Sequence, residues 1–124
     1  MPFQFSVEYP LDIVIGRVVG EGNFSETFGE IKKSIITKQG EGITRRLYDF
    51  QDSDFFFDID KAIQLVNIIQ HTGKMLNSKK IALLFQEIPE TFDLEQLAPH
   101  LESEDVSIGI FIEQAKAVEF LNQK

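Results

Sequence analysis

The apolar and polar positions along the chain change period several times, and each change marks an element. FQFSVEY (residues 3–9) alternates as a half-buried strand does, Pro10 breaks the run, and DIVIGRVVG (12–20) predicts a second strand antiparallel to the first. After GEGN, Asn23 with Glu26 three residues on marks a helix start, and Phe24, Phe28, Ile31 and Ile35 fall on one stripe at helical spacing. Lys32, Lys33 and Lys38 suit the far end of that helix, and Gly40 is its expected stop. ITRRLYDF (43–50) predicts a third strand. DIDKAIQLVNIIQHTG (58–73) is the clearest helix, with Ile59, Ala62, Ile63, Val66 and Ile69 in line and Gly73 as its expected end. KKIALLF (79–85) is almost unbroken apolar sequence, the pattern of a strand covered on both faces. FDLEQLAPHL (92–101) predicts a shorter helix on Leu94, Leu97 and Leu101, with Pro99 against it. VSIGIFI (106–112) and EQAKAVEFLN (113–122) close the series as strand and helix.

The order β-β-α-β-α-β-α-β-α defines an α/β protein with a mostly parallel sheet. Alternating strands and helices require parallel neighbours and right-handed crossovers, here four β-α units behind an antiparallel first strand. The 124 residues suit one domain over 1–124, and 43% hydrophobic content is enough for a core.

Charge and composition remove several functions. A net charge of -8 argues against broad electrostatic binding to nucleic acid or anionic lipid, which needs a basic face. Without cysteine there is no disulfide, thiolate chemistry or cysteine-based zinc site. The N-terminal stretch has no signal-peptide pattern, being interrupted by Glu8, Asp12 and Arg17, and no segment approaches the ~20 apolar residues of a membrane helix. A cytoplasmic protein is the expectation.

The stretch FFFDIDKA (55–62) carries the strongest chemical signal. It resembles the haloacid-dehalogenase phosphatases, in which an apolar strand ends in Asp-x-Asp and the first Asp is the nucleophile. The context disagrees. Their motif ends the first strand, and Ala62 stands where a Thr or Val follows the second Asp. Asp58 and Asp60 at a helix start are explained by capping, worth about 1 kcal/mol. DSDFFFD (52–58) fails as an EF-hand because Phe56 and Phe57 occupy the places of a ligand and a glycine. GEGNFS (20–25) has Ser25 in place of the third glycine of a dinucleotide fingerprint, and a tight turn accounts for Gly20 and Gly22. His71 and His100 lie far apart, each near a helix end, and read as structural. No metal or cofactor is expected.

The phenylalanines are less easily assigned to a core. Consecutive residues of an extended chain point to opposite sides, so Phe55, Phe56 and Phe57 cannot all face one interior. Phe50, Phe57 and Phe92 are the candidates for lining an apolar ligand site, against the plainer and favoured reading that the second or third helix covers the cluster as core.

Taken together, RVVGEGNFSE, RRLYDF, KKIALLF and IGIFIEQAKAVEFL resemble the STAS domain (sulfate transporter and anti-sigma factor antagonist), in particular the SpoIIAA-like bacterial proteins. The resemblance covers nearly the whole chain and rests on pattern. It implies a non-enzymatic binding module that regulates through contact with a protein partner. In the anti-sigma antagonists a serine at the start of the second helix is phosphorylated to release the partner. Here that helix opens Phe57-Asp58-Ile59-Asp60-Lys61, and the nearest upstream hydroxyl is Ser53, so the phosphoserine switch is not expected. Phe55, Phe56, Phe57, Asp58, Asp60 and Lys61 are the expected partner-binding residues. Some related sequences are grouped with Sec14-type lipid carriers, which makes a carrier of a small apolar ligand the alternative. If the helices lie mainly on one sheet face, Val19, Leu47 or Ile110 would leave apolar area on the other, and a homodimer is expected.

Overall fold

The computed structural model describes residues 4–8, 12–20, 24–38, 42–53, 59–87 and 94–123, without the side chains of 4–8, Phe24 and Leu94. Along them run β1 (Gln4–Glu8), β2 (Ile13–Gly20), α1 (Phe24–Ile36), β3 (Arg45–Ser53), α2 (Ile59–Leu76), β4 (Lys80–Leu84), α3 (Leu94–Leu101), β5 (Ser107–Phe111) and α4 (Gln114–Asn122). The sheet order is β1-β2-β3-β4-β5, so neighbours in space are neighbours in sequence. β1 pairs antiparallel with β2, Gln4 opposite Val19 and Glu8 opposite Ile15. β2 through β5 are mutually parallel.

Handedness places the first three helices. Parallel strand–helix–strand connections are right-handed, so three successive steps in one direction put α1, α2 and α3 on the same face. There Ile31 of α1, Leu65 and Ile69 of α2 and Leu97 of α3 pack on Val18, Tyr48, Ile81 and Ile108 of the sheet. α4 is not a crossover and escapes that rule. It lies on the opposite face, where Ala117 and Leu121 pack on Ile13, Leu47, Ala82 and Leu84. β4 alternates between the two cores, Ile81 and Leu83 toward one and Ala82 and Leu84 toward the other. That is the physical basis of its unbroken apolar run.

The position of α4 corrects the premise of an uncovered face. Leu47 is buried beneath it, Ile110 packs against the three-helix side, and Val19 is half-buried. The apolar area on which a homodimer was expected is largely filled from within the chain.

Two helix details also differ from expectation. α2 does not stop at Gly73 but runs to Leu76. It ends as a Schellman motif, with Asn77 in the left-handed region (φ 60) and the Ser78 N–H donating to the Gly73 carbonyl at 2.8 Å. In α1 the buried line is Thr27, Ile31 and Ser34, while Phe28 and Ile35 flank it half-buried. α1 ends at Ile36, with Lys38 left-handed (φ 54). Asn23, Gly22 and Gly40 lie outside the described residues. Pro99 sits inside α3, which survives because so short a helix loses one hydrogen bond there and the ring faces solvent.

Candidate functional site

β3 carries the chain toward the start of α2. Its last residues are Gln51, Asp52 and Ser53, and α2 resumes at Ile59. The Ile59 side chain packs against the three-helix core, which fixes the opening turn. Asp60 and Lys61 then face solvent side by side. A carboxylate in a first turn lies beside the positive end of the helix dipole and is stabilised there as an anion. Of the expected partner-binding residues the structure describes Asp60 and Lys61, both exposed at consecutive positions of the first turn. Phe55, Phe56, Phe57 and Asp58 lie outside the described residues, as does Phe92.

The surroundings of this turn are acidic and carry a few apolar atoms. Asp52, Glu87 and Glu113, at or just beyond the carboxyl ends of β3, β4 and β5, are exposed. Ile112 follows β5 and is 49% exposed. Gln51 is held at both ends, its N–H donating to Asp49 Oδ1 at 2.9 Å and its side-chain amide to the Ile112 carbonyl at 3.3 Å. Ser53 is half-buried and its hydroxyl donates to the Phe50 carbonyl at 2.9 Å, so it is already engaged. In open α/β sheets, ligand crevices form where the strand order reverses. The strictly sequential order of the described strands contains no such reversal.

Phe50 occupies a different environment from the ligand site expected of it. It is buried among the α1–α3 core residues, stacked on Phe85 with ring centroids 5.1 Å apart and planes inclined by 10°. Protein fills the space around its ring.

A polar cleft of about 240 Å³ opens at the other end of the sheet, lined by Gly73, Lys74, Asn77, Ser78, Lys79 and Asp105. At 1.5 Å per residue along α2, Gly73 is about 21 Å from Ile59, so the cleft is remote from the opening turn. Arg46 is fully buried nearby, its Nε donating to Ser78 Oγ at 2.6 Å, and Ser78 Oγ donates in turn to the Ile43 carbonyl at 2.8 Å. Beside it, burial pushes the pKa of Tyr48 above the usual tyrosine value, and the Arg46 charge with the nearby Arg46 and Ser34 donors draws it partly back. The Tyr48 oxygen has no regular hydrogen-bond partner among the described residues. The sequence reading missed Arg46. The signal was the pair Arg45-Arg46 in a strand covered on both faces, where alternation turns one of the two inward.

His71 is exposed, and His100 Nδ1 lies 3.0 Å from Asn67 Oδ1. Among the described residues no three of His, Cys, Asp or Glu converge as metal ligands, and no helix is long and apolar enough to cross a membrane.

Comparison with known proteins fits this architecture. No family model matches the chain, and no curated protein does. Solved structures do. The chain has the SpoIIAA-like α/β fold. One match is the anti-sigma factor antagonist SpoIIAA in its unphosphorylated form, 15% identical, with a TM-score of 0.54 over 95% of this chain and 96% of that one. Another is an uncharacterized DUF3478-family protein with a SpoIIAA-like fold from Shewanella loihica PV-4, 14% identical, with a TM-score of 0.52 over 96% and 93%.

Proposed function

We propose that this chain is a non-enzymatic, cytoplasmic binding module that regulates through contact with a protein partner, and that the contact centres on the start of α2. The observation that carries the reading is the exposure of Asp60 and Lys61 on the opening turn of α2, at the carboxyl end of the sheet, in a SpoIIAA-like fold. Phe55, Phe56, Phe57 and Asp58, immediately before that turn in sequence, complete the proposed surface.

The turn carries its negative charge permanently. Phosphorylation adds about two negative charges at a helix start and acts as a switch. Here Asp60 supplies a carboxylate, and the nearest upstream hydroxyl, Ser53, is bonded to Phe50. Regulation in this proposal comes from the partner's abundance or from a ligand, not from a kinase acting on this helix. The apolar-carrier reading loses one of its residues to the core, since Phe50 is enclosed by protein.

Affinity purification from the native cell, with bound proteins and lipids both identified, supplies the partner. Asp60→Ser is then expected to change its affinity by more than tenfold, about 1.4 kcal/mol. An unchanged affinity with a lowered melting temperature would reduce Asp60 to a helix cap and reject the proposed surface.

A further inference from the structure

α4 is attached to the rest of the chain differently from the other helices. α1 packs on α2 and α2 on α3, so each supports its neighbour, whereas the substantial contacts of α4 are all with strands β3, β4 and β5. Only Ala117 and Leu121 of its nine residues are buried, with Val118 and Phe120 half-buried. Its first turn is not tied down by a side chain, because Glu113 at the N-cap makes no capping hydrogen bond. Glu113 is extended (φ -121, ψ 127), as N-cap residues usually are, and the short connection from β5 is held to the sheet by the Gln51 side-chain amide donating to the Ile112 carbonyl.

The far end of α4 is held by two cations at the strand starts. Lys80 Nζ donates to the carbonyls of Gln123 and, at 3.4 Å, Phe120, and also lies 5.5 Å from the Phe120 ring centroid. Arg45 donates to Asn122 Oδ1. Cations there also meet the negative end of the helix dipole. This is a polar clasp over a small apolar anchor. Beneath it runs a continuous apolar strip, since Ile15, Leu47 and Ala82 are register partners across β2, β3 and β4, and Leu84 faces Phe111 in the next row.

We infer that α4 is a releasable cover: it leaves the sheet as one unit, hinged at Ile112 and Glu113, and bares this strip while the α1–α3 core stays folded. Regions of few buried contacts open sub-globally before the whole molecule unfolds. Opening here costs the seats of Ala117 and Leu121, the contact of the Phe120 ring with Phe111 (centroids 5.3 Å apart) and the Lys80 and Arg45 clasp, and breaks no contact between α1, α2 and α3. The inference rests on the fold and not on the α2 partner surface, so either can fail alone.

Adjacent residues of β4 supply the test, because the chain contains no cysteine and a single introduced thiol is unambiguous. Leu84 lies under α4, whereas Leu83 lies in the α1–α3 core. In the full-length protein under native conditions, Leu84→Cys should react with a nitrobenzoate disulfide at least tenfold faster than Leu83→Cys, each rate referred to that variant's own global unfolding equilibrium. Adding Lys80→Met should accelerate the Leu84→Cys reaction severalfold and leave Leu83→Cys unchanged. Leu47→Cys, beneath the same helix, carries the measurement if Leu84→Cys does not fold. Equal rates on the two faces, both set by global unfolding, would overturn the inference, and so would indifference to Lys80→Met. Amide exchange separates release from fraying. Ala117 to Leu121 should share one opening equilibrium, whereas a gradient of protection rising inward from Gln123 would count against a cooperative cover.

Discussion

Alanine at Gly73 should destabilise the protein, against the usual preference of helices. In a helix interior Gly→Ala normally gains about 0.8–1 kcal/mol. At Gly73, however, a Cβ would stand 2.9 Å from the Ser78 carbonyl oxygen, 2.9 Å from Val106 Cγ2 and 3.0 Å from Ile81 Cδ1. The first of these is backbone, fixed by the bond that closes α2, from the Ser78 N–H to the Gly73 carbonyl. Overpacking a tight site costs about 1–3 kcal/mol, which after the propensity gain of ~1 kcal/mol leaves a net loss of up to about 2 kcal/mol. Gly29 on the exposed side of α1 is the control, since nothing lies within 4 Å of its added Cβ. Gly29→Ala should therefore gain close to the full ~1 kcal/mol. Urea denaturation reads both as shifts of midpoint at constant slope. A Gly73→Ala protein as stable as wild type, or more so, would refute the packing argument, because propensity alone predicts the same sign at both sites.

Tyr48 makes stability sensitive to alkali. The phenol is neutral when protonated, and burial holds the proton more tightly in the folded state than in the unfolded chain, where tyrosine titrates near about 10. Its contribution is intact below that pH and is lost as pH rises toward the higher folded value, at up to about 1.4 kcal/mol per pH unit. Urea midpoints at successive alkaline pH values should fall less steeply for Tyr48→Phe than for wild type, and parallel slopes would discount Tyr48. Ile69→Ala, at a site with no solvent exposure between α2 and the sheet, should cost about 2–5 kcal/mol by the same measurement. Ile36→Ser, 81% exposed at the end of α1, should stay within about 0.5 kcal/mol of wild type. Wild type with Mg²⁺ is expected not to hydrolyse a generic phosphomonoester, and turnover abolished by Asp58→Asn would reopen the phosphatase reading.

Elements written in apolar periodicity were legible, and those decided by polar or topological terms were not. KKIALLF announced a strand covered on both faces because both its residue parities are apolar. The stripe in α1 was displaced because only apolar residues were counted. Thr27 and Ser34 face inward, the latter donating its hydroxyl to the Ile31 carbonyl, a bond that composition does not reveal. The end of α2 was misread because glycine is the commoner left-handed cap, whereas here Asn77 takes that role and Gly73 serves close packing. The face chosen by α4 had no local signature, since handedness constrains crossovers and leaves a helix after the last strand free. At the candidate site, the charges opening α2 could be read directly. The burial of Phe50 depended on Phe85, thirty-five residues away in sequence, and could not.

The sequential strand order also bears on how the chain folds. Register partners Ile13 and Arg45, Arg45 and Lys80, and Lys80 and Ser107 are separated by 32, 35 and 27 residues. Loop-closure cost rises only logarithmically with length, so the three parallel pairings start from nearly equal entropic terms. No strand has to be inserted between two that are already paired. The sheet can extend outward from whichever neighbouring pair docks first, each addition bringing the helix that covers it. Each parallel pairing still has to close 27–35 residues, so folding is expected to be paced by the first docked βαβ unit rather than by the late insertion of a strand.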